Sequence, residues 1–157
     1  MMPVALGPAQ AATMAALDRR IREDAWSATV YQTLASRPQT ELWGMEHESG
    51  ELVAMMVLAF GPWDAELELI GVATEWQGRG LGGQLLTLAR QRLQQSRRER
   101  LLLEVRSNNR TARMLYERHG FRVDGCRRAY YEPSVPGGRR EDALLMSLTL
   151  AASYSLL

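Results

Sequence analysis

Gln77-Gly78-Arg79-Gly80-Leu81-Gly82-Gly83 is the most glycine-dense segment of the chain and stands directly before a helix-forming run. Glycines there let backbone N–H groups turn toward a ligand, and the dipole of the following helix adds partial positive charge. Together they make a site for a phosphate-bearing ligand. Gly78, Gly80 and Gly83 also satisfy the GxGxxG spacing of dinucleotide sites, and Glu104 follows about twenty residues later, where such a fold carries an acid. Against that fold, Thr74-Glu75-Trp76-Gln77 separates the preceding strand from the first glycine, and too little chain remains for a doubly wound sheet. No Gly-Lys-Ser/Thr follows, which excludes a nucleotide-hydrolysing P-loop. A purely structural glycine turn is the remaining alternative. Glu104 is also the carboxylate to consider as a general base. Leu101, Leu102, Leu103 and Val105 surround it, and partial burial of that kind lifts a carboxyl pKa toward neutrality. The competing reading is a strand-end carboxylate paired with Arg106 or another arginine.

The other reactive side chains carry less. Cys126 lies among arginines that favour a thiolate, but no histidine stands nearby to make a cysteine–histidine pair. His119, before Gly120, reads as a helix-end residue, and His47, between Glu46 and Glu48, as a solvated one. Two histidines and one cysteine do not supply a catalytic metal site, so no metal is expected.

The elements that must position these residues follow from periodicity and punctuation. Residues 9–24 read as a helix, and Ser27 caps a second short helix through Leu34. Leu42–Glu48 and Leu52–Phe60 are strands joined at Ser49-Gly50, and Glu66–Val72 alternates acid and aliphatic residues as a half-buried strand does. The helix after the glycine loop carries Leu81, Leu85, Leu88, Ala89 and Leu93 on one face. Leu101–Arg106 is a strand, Ser107-Asn108-Asn109 supplies caps, and Ala112, Leu115, Tyr116 and His119 mark a further helix that Gly120 closes. Phe121–Tyr131 and Ala143–Leu150 are the last strands, around a loop from Pro133 to Gly138. The segment 151–157 is apolar and uncharged.

A chain of 157 residues, 46% hydrophobic, is expected to form one domain over residues 1–157 with no need of a disulfide or metal staple. One cysteine excludes an intrachain disulfide framework. No apolar run reaches the ~20 residues of a membrane helix, and no basic segment precedes an apolar leader, so a cytoplasmic protein without membrane contact is expected. The net charge of +1 hides an asymmetry: residues 90–142 hold fourteen arginines against seven acids, the remainder five against eleven. All 19 basic residues are arginine, which suits bidentate phosphate recognition, but aromatics are not interleaved with them, and direct nucleic-acid binding is not expected.

Gln77-x-x-Gly80-x-Gly82, after a strand and before a helix, resembles the acetyl-CoA pyrophosphate loop of the GNAT acetyltransferases. The resemblance continues through Leu103-Glu104-Val105-Arg106-Ser107-Asn108-Asn109, Ala112, Leu115-Tyr116-Glu117 and Gly120-Phe121. Arg128-Ala129-Tyr130-Tyr131 and Arg140-Glu141-Asp142-Ala143-Leu144-Leu145-Met146 are similar to one group in particular, the bacterial ribosomal-protein-alanine N-acetyltransferases of the RimI type. Trp26-Ser27 matches that group's Pro-Trp-Ser except that Ala25 stands where it has proline. The resemblance implies an α/β fold of the α+β kind, with a mixed, mostly antiparallel sheet of about seven strands and about four helices. It implies acetyl-CoA as cosubstrate, bound by Ile70, Gly71, Val72, Gln77, Gly78, Arg79, Gly80, Leu81, Gly82, Gly83, Asn109 and Tyr116. On this pattern the strand through Val72 splays from its neighbour, and the Val72 N–H faces the thioester oxygen. Glu104 is then the base, directly or through water, and Tyr116 the acid beside sulfur.

The same resemblance makes Tyr130, Tyr131 and Glu132 walls of the acceptor groove. The acceptor it implies is the N-terminal alanine of a small-subunit ribosomal protein; a small amine or a protein lysine is the alternative. An α-amino group has a pKa of ~7.7–8.0 against ~10.4 for lysine, so deprotonating it at neutral pH costs about 3 kcal/mol less, which suits a modest carboxylate base.

Overall fold

The structure is a computed structural model and describes residues 1–133 and 135–150; the segment 151–157 lies outside the described residues. Seven strands form one sheet: β1 (Pro3–Leu6), β2 (Thr40–Glu46), β3 (Leu52–Phe60), β4 (Asp64–Val72), β5 (Arg100–Arg106), β6 (Arg122–Tyr131) and β7 (Glu141–Thr149). Four α-helices accompany them: α1 (Ala11–Ile21), α2 (Ala28–Ser36), α3 (Leu81–Gln95) and α4 (Arg110–Arg118). The strand order is β1-β2-β3-β4-β5-β7-β6. Every pairing is antiparallel except β4 with β5, which α3 connects as a parallel crossover. This is the mixed, mostly antiparallel sheet that the resemblance implies.

β3 is apolar almost throughout because it is central: its first seven residues are all buried, with helices on both faces of the sheet. One core cluster joins Met56, Leu67, Leu85, Leu93, Leu103 and Tyr116 on the side of α3 and α4. The other joins Met14, Leu17, Tyr31, Leu42, Met55 and Leu69 on the side of α1 and α2. Leu67 and Leu69 fall in different clusters although both lie on β4. A bulge explains this: Leu67 opposes Leu58 while Leu69 opposes Val57, so Glu68 is an extra residue and the side-chain alternation resets there.

Element boundaries differ from the sequence reading by one to three residues, and one strand is new. The helix expected over 9–24 starts at Ala11, after a single 3-10 turn at Pro8–Gln10, and ends at Ile21. β2 runs from Thr40 to Glu46 rather than from Leu42 to Glu48. β1 carries no sequence signal, since four residues give no readable period, and the strand exists because β2 offers a free edge to pair with. Ser27 does cap α2, its hydroxyl accepting from the Val30 N–H at 3.3 Å.

Candidate active site

β4 and β5 pair only through Asp64–Arg100, Ala65–Leu101 and Glu66–Leu102. Beyond that point β4 stays with β3 as far as Val72, and β5 stays with β7 as far as Arg106. The two strands therefore part and leave a gap between them. The Ala73 N–H donates to the Val53 carbonyl at 2.8 Å. Antiparallel alternation then turns the peptide groups of Ile70 and Val72 toward the gap and those of Gly71 toward Met55. Ile70 and Val72 thus offer backbone to a ligand, whereas Gly71 does not. Glycine at 71 serves another purpose, because a Cβ there would lie 3.0 Å from Cδ1 of Ile21 on α1. The Val72 carbonyl, left without a β5 partner, accepts a hydrogen bond from Gln77 Nε2 at 3.0 Å.

That bond ties the glycine loop to the open end of the gap. Gly78 and Gly80 have φ of +77° and +82° with nothing within 4 Å of a Cβ position, so backbone conformation alone demands them. Gly82 and Gly83 are steric instead: Cβ atoms there would stand 3.1 Å from Leu115 Cδ2 and 3.1 Å from His119 Nε2. α3 begins at Leu81 with no acid in its first turn, so its first N–H groups and the dipole are available to an anion. Arg79 folds back, its guanidinium 4.5 Å from the Trp76 ring centre. His47, read as solvated, also packs on Trp76 at 5.0 Å and contacts Ser49 Oγ at 3.1 Å. Asn109 is the N-cap of α4, its Oδ1 accepting from the Ala112 N–H at 3.2 Å, which leaves its amide NH2 free to donate to a ligand. His119 is the C-cap of the same helix.

A cleft of about 620 Å³ opens where the gap meets the outer face of β5, β6 and β7. Trp26, Glu68, Leu102, Glu104, Arg127 and Tyr131 are among its walls. Glu104 is not buried as its neighbours suggest. Leu101, Leu103 and Val105 point into the core, so strand alternation sends Glu104 to the cleft, where its side chain is 36% exposed. Its partner is Arg127, with Nη1 3.5 Å from Oε1, and not Arg106. Arg106 lies 4.5 Å over the Tyr131 ring and donates to the Glu132 carbonyl at 2.9 Å.

Tyr116 is 7% exposed, against Phe121 on the α4 side of the sheet. Burial, then the nearby Tyr131 phenol, pushes its pKa up to about 12. Burial also raises Tyr131, and the Glu104 carboxylate raises it further while Arg106 opposes. Tyr131 is thus electrically close to both Glu104 and Tyr116. Tyr130, 46% exposed, packs edge-on against Tyr131 at 5.1 Å but does not line the cleft. Glu132 does not line it either; its carboxylate accepts from Arg140 at 2.6 Å. Of the expected acceptor walls, only Tyr131 is in the cleft.

Trp26, Arg127 and Glu68 are cleft residues that sequence reasoning missed. Trp26 is set by a buried carboxylate: Asp18, 1% exposed, accepts from the Trp26 N–H at 2.9 Å, from the Tyr31 hydroxyl at 2.6 Å and from Arg22 at 2.5 Å. Burial pushes Asp18 up, but these hydrogen bonds outweigh it and hold the carboxyl below the usual range. The sequence signal for Trp26 was the large aromatic beside a helix cap; Arg127 and Glu68 had none, since cross-strand neighbours depend on register. Burial, then Glu66, raises Glu68, and Arg37 opposes the rise. Among the described residues no group of three or more metal-ligating side chains occurs, and no helix is long and apolar enough to cross a membrane.

A parted parallel pair with an open helix start on one side and a carboxylate cleft on the other is an arrangement suited to acyl transfer. The chain belongs to the GNAT acetyltransferases, whose family model matches residues 11–121, and is thus an acetyl-CoA-dependent N-acetyltransferase. Among its relatives is the ribosomal protein bS18-alanine N-acetyltransferase of Escherichia coli strain K12, 36% identical over 104 residues, which are 66% of this chain and 68% of that one. The crystal structure of the ribosomal-protein-S18-alanine N-acetyltransferase from Escherichia coli superposes with a TM-score of 0.87 at 25% identity, covering 99% of each chain. A GNAT family acetyltransferase from Elizabethkingia anophelis with acetyl-CoA bound gives 0.64 at 25% identity, over 71% of this chain and 77% of that one.

Proposed function

We propose that this chain, as one domain over residues 1–157, transfers the acetyl group of acetyl-CoA to the α-amino group of a protein N-terminus. The acceptor we infer is the N-terminal alanine of a small-subunit ribosomal protein, met in the cytoplasm. The observation that carries the reading is the gap between β4 and β5, entered from two sides. The glycine loop and the start of α3 lie toward one side, and the cleft with Glu104, Tyr131 and Trp26 toward the other. The similarity to the Escherichia coli enzyme supports the acceptor class.

In this reading the loop N–H groups from Gly78 to Gly83 hold the pyrophosphate, Gln77 secures the loop, Arg79 flanks it, and Leu81 begins the helix beneath it. The Ile70 and Val72 peptides pair with the pantetheine arm, to which the Asn109 amide donates. The Val72 N–H then faces the carbonyl oxygen of the thioester as it gains charge. The amine nitrogen bonds to that carbonyl carbon and Glu104 takes the proton it releases. The C–S bond breaks, and the sulfur takes the Tyr116 proton. With Tyr116 at about 12 and an ordinary thiol at ~8.5, handing over a proton after the thiolate has formed runs uphill. Protonation must therefore accompany C–S cleavage, when charge is building on sulfur against a buried phenol.

The test is CoA release from acetyl-CoA with a peptide beginning with free alanine, beside the same peptide with a blocked N-terminus and an internal lysine. Turnover with the free alanine alone is expected. Turnover with the blocked lysine peptide, or with a small amine alone, sinks the N-terminal reading.

A further inference from the structure

Arg106 stands two residues from Glu104 on the same face of β5, ~6.6 Å along the strand, within reach of its carboxylate. The guanidinium turns the other way, toward the start of β7 and the end of β6. Ala143 opposes Arg106, and Glu141, two residues before it, opposes Tyr131. Arg106, Glu141 and Tyr131 therefore share one face of three adjacent strands.

Glu141 accounts for the turn. Its side chain is 11% exposed, and both carboxylate oxygens are shut off from solvent and accept no hydrogen bond among the described residues. A carboxylate taken from water in this way requires a counter-charge. Among the described residues Arg106 alone supplies one, with Nη1 3.7 Å from Oε1. The pair is poorly built as a staple. Nη1 donates to the Glu132 carbonyl at 2.9 Å and not to Glu141, and a buried ion pair without hydrogen bonds adds little net stability. Its effect is on position. The guanidinium is drawn over the Tyr131 ring, and Glu104 is left with Arg127. Arg127 is half-exposed and lies 5.3 Å from the Tyr130 ring, so an incoming ammonium displaces it at little cost. A second guanidinium, fixed on the same strand as the carboxylate, would be a further competitor for it.

We propose that Glu141 is a positioning residue: its buried carboxylate holds Arg106 off Glu104, so that Glu104 faces the cleft with one displaceable cation rather than two. This rests on Glu104 acting as the base, as proposed above, and gives a task to a residue that does not itself line the cleft.

The experiment measures KM for acetyl-CoA and for a peptide beginning with free alanine, in the parent protein, Glu141→Gln, Arg106→Gln and the double variant. Glutamine at 141 keeps the shape and removes the charge, which releases Arg106 to Glu104. The acceptor KM is expected to rise about fivefold, the upper end for an exposed ion pair, and to rise less as salt is added. KM for acetyl-CoA stays as it was. Adding Arg106→Gln removes the released cation and returns the acceptor KM to within twofold of the parent. Arg106→Gln alone changes it little, because Tyr131 keeps its β7 pairing and the edge contact with Tyr130. KM does not depend on how much of a sample is folded, so a partly unfolded variant is still read. A merely structural Glu141 gives a double variant no better than the single one. That result, or an unchanged acceptor KM in Glu141→Gln, overturns the inference. Turnover by Glu104→Gln at the parent's rate overturns the base assignment and this inference with it. Loss of turnover in Glu104→Gln beside an unchanged Glu141→Gln keeps the base and removes Glu141 alone.

Discussion

Asp18 is where the stability of the fold and the shape of the cleft beside Glu104 meet, and Asp18→Ala separates the two effects. The substitution removes the acceptor of the Tyr31 hydroxyl, in a residue that is 0% exposed, and of the Trp26 N–H, and frees Arg22 from its ion pair. A buried hydroxyl left without a partner costs about 1–3 kcal/mol. The Arg22 side chain is 29% exposed and regains water, so its share is small. With the Trp26 N–H and the cavity added, the expected loss is about 3–4 kcal/mol, inside the range for breaking a buried charged cluster. Urea unfolding monitored by tryptophan fluorescence measures it, with an unchanged m-value showing that the two end states are the same. The pH dependence has a definite sign. The folded carboxyl sits below its ordinary value, so its contribution is complete above about pH 4 and disappears as pH falls through the folded value. The variant therefore loses most stability at neutral pH and approaches the parent protein in acid. At permissive temperature it also raises KM for the acceptor peptide, because Trp26 loses its tether, and leaves KM for acetyl-CoA alone. A loss below 1 kcal/mol, or an acceptor KM that does not move, refutes the argument.

Tyr116→Phe lowers kcat by about a hundredfold or more if the phenol is the proton donor, with little change in either KM. The same substitution changes the alkaline side of the stability curve. The raised pKa favours the folded state below pH 10 and its contribution is lost as pH rises from 10 toward 12, so the phenylalanine variant lacks that part of the decline in a pH-resolved melt. Gly80→Ala forces a side chain to φ +82°, costs about 1–2 kcal/mol in thermal unfolding and raises KM for acetyl-CoA. Ala129→Gly acts the other way: Ala129 sits at φ +51° in the β6 bulge, its N–H bonded to Asp142 at 2.8 Å, and glycine relieves that strain for a net gain of about 0.5–1 kcal/mol after its own entropy cost. An unchanged melting temperature in this variant shows the backbone there to be unstrained.

The glycine loop, the helix behind it and the strand before it were legible because their signals are local. Gly78 and Gly80 announce left-handed backbone, and the leucine spacing of α3 announces one buried face. The exposed–buried alternation of Glu66, Leu67, Glu68 and Leu69 also holds in the structure, whereas the burial of Glu104 does not, because it was read from the wrong neighbours. Glu104 has aliphatic neighbours on both sides in sequence, but in a strand those neighbours point the other way; Leu102 and Arg106, two positions off, share its face. Reading i±2 instead of i±1 would have put Glu104 on an amphipathic wall. The resemblance takes Tyr130 and Glu132 together with Tyr131 as a run, although only Tyr131 reaches the cleft. Arg127 reaches Glu104 because β7 lies between β5 and β6, an order that no local signal encodes.

The Gln77 bond to the Val72 carbonyl gives the two halves of the site a common origin. A strand that leaves its neighbour exposes peptide groups on that edge, and each must find a partner or remain available. At Val72 the carbonyl is taken by Gln77, which holds the glycine loop over the end of the strand, while the N–H on the same edge stays open. The parting of β4 and β5 thus places the anchor of the glycine turn and a donor facing the gap at one residue. In the proposed reaction the exits on either side of the sheet then separate the cofactor from the amine. A change that closed the gap by extending the β4–β5 pairing past Glu66 would satisfy Val72 through β5, release Gln77, and remove the donor and the anchor together. In the proposed reaction, activity and loop order are therefore coupled through one residue, Val72, whose carbonyl anchors the loop and whose N–H faces the gap.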